Sequence, residues 1–186
     1  MTVSDEILHH EAAHAVAIFR ADDLSLTSIA FSGAMPMAKH KRNRLPQTLD
    51  EWLSYAEQEM LVSLVGGLEE TRKHYEVYEQ DMRENAMRKH CMFPERWWQK
   101  TYVNDLALSD WGNIVEHIGR FLAKEWMTPD KAQSLYEQKL DEARSFIEDT
   151  ANRRAIDALV AKMQGQDDLS GAEAIAVIEV SDKVGR

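Results

Sequence analysis

Residues 4–20 read SDEILHHEAAHAVAIFR, a stretch with the marks of a buried helix built around a pair of histidines. Ser4 is a helix-capping residue type, Asp5 and Glu6 suit the positive end of the helix dipole, and Ile7, Ala15, Val16, Ile18 and Phe19 supply an apolar stripe. His10 and His14 stand four residues apart. On a helix their imidazoles therefore lie one above the other on the same face and can converge on a single tetrahedral metal ion, with Glu11 beside them. His-Glu-x-x-His is the pattern in which two histidines hold zinc and the glutamate serves as general base. The small Ala12 and Ala13 between the ligands let another backbone approach the metal.

Zinc requires at least a third protein ligand. The extended pattern that adds a glycine and a third histidine is absent, because Ala17 and Arg20 occupy those places. Two acidic alternatives stand downstream: Asp105 in YVNDLALSDW, and the Glu69, Glu70 pair in LVGGLEETRKH. Spacing alone leaves the choice between them open.

The chain has 186 residues, enough for one domain with a substantial core. No apolar stretch approaches the length of a membrane helix, and the N-terminus has no cationic region followed by an apolar one. The single cysteine, Cys91, cannot form an internal disulfide, and it reads as a buried small apolar group rather than a nucleophile. These features place the protein in the cytoplasm, without a membrane partner. A net charge of −10 argues against a general nucleic-acid binder, which needs a basic surface. One local exception is KHKRNR, residues 39–44, where four cations and His40 either meet an acidic partner or form a solvated loop, the favoured reading.

Beyond the first helix, LSLTSIAF (residues 24–31) reads as a short strand ending at Ser32-Gly33, with Met35 to Ala38 returning beside it. Thr48 and Glu51 form a capping box, after which Trp52, Leu53, Ala56, Met60, Leu61, Leu64, Val65 and Leu68 recur at helical spacing. Gly66 and Gly67 fall inside that helix, where each costs roughly 1 kcal/mol relative to alanine. Their presence predicts a close neighbour, and the histidine helix is the natural one. Residues 74–104 mix aromatics, among them Trp97, Trp98 and Tyr102, with charges, and read as core or as a flap over the site. Asn104 or Asp105 starts a helix that stops near Thr128-Pro129. A further helix from Pro129 breaks near Thr150 to Asn152 and ends at Gly165, and a capping box at Ser170 and Glu173 opens the last one. No Gly-x-x-x-x-Gly-Lys phosphate loop occurs in the chain. The architecture expected is mainly α with one short β element, residues 1–128 forming the metal-site part of a single domain and residues 129–186 its C-terminal helices.

The order of these segments resembles the peptidase domain of FtsH, the ATP-dependent zinc protease of bacterial and organellar membranes. HEAAHAVA is similar to its zinc helix, LTSIAFSG to its short strand, LVSLVGGLEE to its helix with paired glycines, VNDLALS to its segment bearing an aspartate ligand, and LSGAEAIAVIE to its C-terminal helix. The resemblance implies a helical zincin-like metallopeptidase fold, with Zn2+ held by His10, His14 and Asp105 and with Glu11 as the catalytic base. Glu69 and Glu70 come sooner after the glycines than in the family, and the path to Asp105 is longer. The family's membrane anchor and ATPase have no counterpart in this sequence. The expectation is a stand-alone zinc metallopeptidase that hydrolyses unfolded or flexible protein segments without ATP, alone, as a homo-oligomer or with a separate protein partner. The alternative is a non-catalytic metal-binding adaptor or regulatory module that binds a protein partner. His40, His74 and His117 are the candidates for stabilising the oxyanion, and spacing favours none of them.

Overall fold

The computed structural model describes residues 3–31, 36–74, 110–165 and 168–184. Within them the chain is mainly α-helical with a small three-stranded sheet. The elements run α1 (Asp5–Arg20), β1 (Leu24–Ala30), β2 (Met37–Arg42), α2 (Leu49–His74), α3 (Asp110–Ala123), α4 (Pro129–Glu148), α5 (Thr150–Met163), β3 (Asp168–Ser170) and α6 (Gly171–Val184).

Helix α1 begins where its sequence says it should: Ser4 Oγ accepts from Ile7 N–H at 3.4 Å, and Asp5 and Glu6 occupy the first turn. It is buried more completely than a single stripe implies. Leu8, Ala12, Ala13, Ala15, Val16, Ala17 and Ile18 are all inaccessible or nearly so, because α2, α5 and the sheet enclose the helix on different sides. Helix α2 opens with the expected capping box, in which Glu51 N–H donates to Thr48 Oγ1 and Thr48 N–H to Glu51 Oε2, each at 3.2 Å. Of the helical repeat, Ala56, Met60, Leu64, Val65 and Leu68 are buried, and the last four join Tyr55 and Val62 in the core shared with α1. Thr128 caps α4 with Pro129 in the first turn, and the break before α5 is made by Asp149, whose carboxylate accepts from Ala151 and Asn152 N–H.

The sheet is larger than the single β element expected. Its strand order is β2-β1-β3, antiparallel throughout. β3 is three residues long, too short to carry an alternating pattern, and only its buried Leu169 opposite Ile29 betrays it. It delivers the chain directly into α6, where Ser170 and Glu173 form the expected capping box. A Cβ on Gly171 would lie 2.3 Å from the Leu26 carbonyl oxygen, so the start of α6 can press against β1 only with glycine there.

KHKRNR is not the solvated loop favoured from its composition, since Lys39, His40, Lys41 and Arg42 form most of β2. The alternation is hidden because two of its inward-facing positions, His40 and Arg42, are themselves polar. His40 pairs with Glu59 at 2.8 Å, and the Arg42 guanidinium lies 3.9 Å from the centre of the Tyr55 ring. Among the described residues no helix is long and apolar enough to cross a membrane. The aromatic stretch from 75 to 104, Cys91 and the expected helix start at Asn104 or Asp105 lie outside the described residues, and α3 is described from Asp110.

Candidate metal centre

Helix α1 presents His10 and His14 on one face, as their spacing dictates, and the start of α3 brings Asp110 opposite them. The two Nε2 atoms lie 2.9 Å apart, and each is 3.1 Å from Asp110 Oδ2. Two ligands about 2.0–2.1 Å from one zinc at tetrahedral angles stand roughly 3.3 Å apart, so three donors at these separations fit a shared cation.

The outer hydrogen bonds fix which atoms face the centre. His14 Nδ1–H donates to the Val62 carbonyl and His10 Nδ1–H to Glu70 Oε2, both at 2.8 Å. With Nδ1 committed as donor, a neutral imidazole presents a lone pair at Nε2. Two such lone pairs and a carboxylate oxygen packed together repel one another unless something positive lies among them. In the absence of a metal ion a proton serves. Burial lowers the His10 pKa, but hydrogen bonds to Asp110 and Glu70, with the charges of Asp110 and Glu11, carry it up to about 10. Asp110, although burial raises it, is held well below the usual carboxylate range by His14 and His10. Proton and metal therefore compete for the same cluster.

Glu70, one of the two acidic alternatives, thus supports a histidine from behind, while Glu69 lies deeper. It is 1 % exposed, accepts from His9 Nδ1–H at 3.2 Å and is paired through both oxygens with Arg72. Adjacent carboxylates on α2 thereby grip adjacent histidines on α1. Burial raises the Glu69 carboxyl, but Arg72 and His9 outweigh it and hold it below its ordinary value. Glu59 is depressed in the same way by His40 and Tyr55. A depressed folded-state pKa means that the unfolded chain takes up protons first, so this stabilisation is complete above about pH 4.5 and is lost as the pH falls through the folded values. Glu69→Ala leaves the Arg72 guanidinium and the His9 ring N–H without their buried carboxylate. The expected cost is about 3 kcal/mol, a fall of roughly 6–12 °C in Tm by calorimetry, with a shallower acid limb in the stability profile.

Glu11 is 5 % exposed and lies between the cluster and the sheet. Its Oε2 accepts from the Ala38 N–H of β2 at 2.5 Å, while Oε1 is 4.0 Å from His10 Nε2. A cleft of about 750 Å³ opens over these groups, bounded by His10, Glu11, His14 and Asp110 on one side and by Met37, Ala38, Lys39 and His40 of β2 on the other. At its β2 end Glu59, 6 % exposed, accepts from both His40 Nε2–H and the Tyr55 hydroxyl. Burial and that bond push the Tyr55 phenol up to about 12. Of the three histidines named for the oxyanion, His40 therefore lines the cleft. His117 packs edge-on against Tyr55, its pKa lowered by burial, and the His74 side chain lies outside the described residues.

Asp105 lies outside the described residues as well. Among the described residues the carboxylate brought to the histidines is Asp110, which the spacing and the family likeness did not single out although it stands in the same YVNDLALSDW stretch. A signal was there: counting back by fours along the buried stripe of α3, from Ile118 to Ile114, leads to Asp110, an acid at the first turn of a helix. Compared with protein-family models and with curated proteins, the chain matches none.

Proposed function

We propose that this protein is a zinc-dependent metallopeptidase of the FtsH-like, His-Glu-x-x-His type, one domain over residues 1–186, that hydrolyses extended or unfolded protein segments in the cytoplasm without ATP. The observation that carries the reading is the convergence of His10, His14 and Asp110 with the outer histidine nitrogens tied away, beside a buried glutamate that has one oxygen anchored and the other turned towards the cluster. A zinc ion held there supplies Lewis acidity, polarising a carbonyl and lowering the pKa of a water towards roughly 7. Glu11 takes the proton that the attacking water loses and returns it to the leaving amine. The Ala38 N–H keeps the Glu11 carboxylate in one orientation for both transfers. His40, fixed by Glu59, gives the cleft a polar wall roughly 7 Å along β2 from Ala38. A folded substrate must open before its backbone can enter this cleft.

A second reading, a metal-binding module without catalysis, draws on the same Glu11–Ala38 bond, which clamps β2 to α1 with or without catalysis. Zinc content by elemental analysis, joined to cleavage of denatured casein with and without a chelator, separates the two. The expected result is close to one zinc per chain and cleavage that the chelator abolishes and added zinc restores. The third ligand is tested in the same assay. Asp110→Ala should lower zinc affinity by tenfold or more, the scale on which even supporting residues of metal sites act. Full retention by Asp110→Ala, with loss in Asp105→Ala, would hand the role to Asp105.

A further inference from the structure

Helix α6 is apolar on two faces. One carries Gly171, Ala174 and Ile178, all buried against the rest of the fold. The other carries Ala176, Val177, Val180 and Val184 at spacings of three and four, and it faces outward: Val180 is 60 % and Val184 79 % exposed. A surface helix ordinarily buries such a stripe against a neighbour and turns polar groups to water. Beside it, Arg154, Ala158 and Lys162 stand four residues apart along one ridge of α5, and the two ridges bound a groove of about 670 Å³. The groove shares no lining residue with the metal cleft.

Its rim is cationic. Among the described residues no carboxylate lies within 4.0 Å of Arg154 or Lys162, although the chain carries a net charge of −10. Glu173, the acid among the described residues that line the groove, is engaged through Oε2 with the Ser170 N–H and hydroxyl of the capping box. Arg154 Nε is buried, and among the described residues it has no hydrogen-bond partner. A buried donor left in that state destabilises the fold, and an acceptor brought to the guanidinium relieves it.

We propose that the groove between α5 and α6 receives one amphipathic helix of a protein partner, with its apolar stripe on the valines and its acidic side chains against Arg154 and Lys162. Such docking is independent of the peptidase reading. A helix fits because both walls are helices, and side chains at i, i+3, i+4 and i+7 form ridges that seat in the groove between them. Arg154 and Lys162 are eight residues apart, about 12 Å along α5, so carboxylates seven residues apart on the incoming helix, about 10.5 Å along its own axis, meet both. A guanidinium takes a carboxylate through two parallel N–H bonds, and a turn of the half-buried Arg154 side chain offers its unpartnered Nε–H as one of them. A second copy turning the same face to the groove brings two more unpaired cations and a Glu173 already engaged. An anionic lipid surface repels a chain whose net charge is −10.

The test measures binding of fluorescein-labelled helical peptides to the full-length, zinc-loaded protein by anisotropy. The probes carry a stripe of Leu and Ala at i, i+3, i+4 and i+7, with Glu, Gln or Lys at two flanking positions seven apart. At low ionic strength the Glu peptide should bind at least about fivefold more tightly than the Gln peptide, the scale of two ion pairs, with the Lys peptide weakest. Roughly 0.5 M salt should erase that difference. Val180→Ser should weaken every peptide by at least about fivefold through lost apolar burial, and Lys162→Glu should abolish the preference for Glu over Lys. Both positions are exposed, so the fold survives, as circular dichroism checks. Equal affinity of the Glu and Gln peptides for the unaltered protein, or binding that the two variants leave unchanged, overturns the proposal. A concentration-dependent dimer that Val180→Ser abolishes also overturns it and gives the groove to a second copy. Binding to anionic phospholipid vesicles that depends on Val180 does the same in favour of a lipid surface. Charge-selective peptide binding without casein cleavage upholds the docking and counts against the peptidase reading, whereas cleavage without selective binding does the reverse.

Discussion

Glu11→Gln should abolish nearly all hydrolysis while leaving zinc content and fold unchanged. An amide cannot accept the proton that the attacking water must lose, and removal of a positioned general base costs about 10²–10⁴ in rate. The substitution isolates that role because of how Glu11 is held. The oxygen that accepts from Ala38 N–H is needed to keep β2 against α1, and a glutamine carbonyl still accepts there. The cluster itself uses other atoms, so metal binding should survive. Casein cleavage, zinc analysis and the thermal midpoint measured on one preparation give the answer. Unchanged cleavage would place the activity in a contaminant or in another mechanism, and loss of fold would mean that the strand clamp is Glu11's main task.

The paired glycines of α2 should respond in opposite directions. A Cβ on Gly66 would lie 2.2 Å from His14 Cε1 and 2.4 Å from Nε2, inside the imidazole. The ring cannot yield without loss, since Nδ1 is anchored on the Val62 carbonyl and Nε2 points into the cluster. Gly66→Ala is therefore expected to displace a ligand and overpack the α1–α2 seam, costing about 1–3 kcal/mol in stability and lowering zinc affinity by at least tenfold. At Gly67 a Cβ meets nothing within 4 Å among the described residues. Gly67→Ala should stabilise the helix by up to roughly 1 kcal/mol through helix propensity and leave zinc binding as it was. Isothermal titration of zinc and thermal unfolding of both variants make the comparison. Equal effects at the two positions would refute the close approach.

The glycine pair also shows how far a sequence reaches. Their cost inside a helix announced a close neighbour, and the neighbour is the histidine helix, but nothing in the residue string distinguishes the glycine that admits His14 from the one beside it. That distinction depends on the rotation of α2 about its axis, which packing against α1 fixes. His10, Glu11 and His14 were legible because all three lie on one helix, where the 3.6-residue repeat is itself the geometry. Asp110 was not singled out, since it stands 96 positions after His14 and is drawn to the site by the burial of Ile114, Ile118 and Phe121, and Asp105 bore the closer family likeness. Local signals marked the capping boxes at Thr48 and Ser170 and the break at Asp149, because a cap is an interaction between near neighbours in sequence. Strand β3, and β2 beyond the expected return at Met37 and Ala38, escaped for the complementary reason. A strand is defined by its partner, and β2 buries polar residues that look solvated until Glu59 and Tyr55 of α2 are set against them, while β3 exists only because α6 starts where β1 can receive it. Residue order alone reaches α1, α2 and their caps, and with α1 the two histidines of the candidate cluster and the glutamate beside them, because these rest on near neighbours in the chain. Packing in three dimensions brings Asp110 to the histidines, makes Gly66 the glycine that gives His14 room, and turns a run of cations into an edge strand along the cleft, because each depends on groups brought together only by burial of the core.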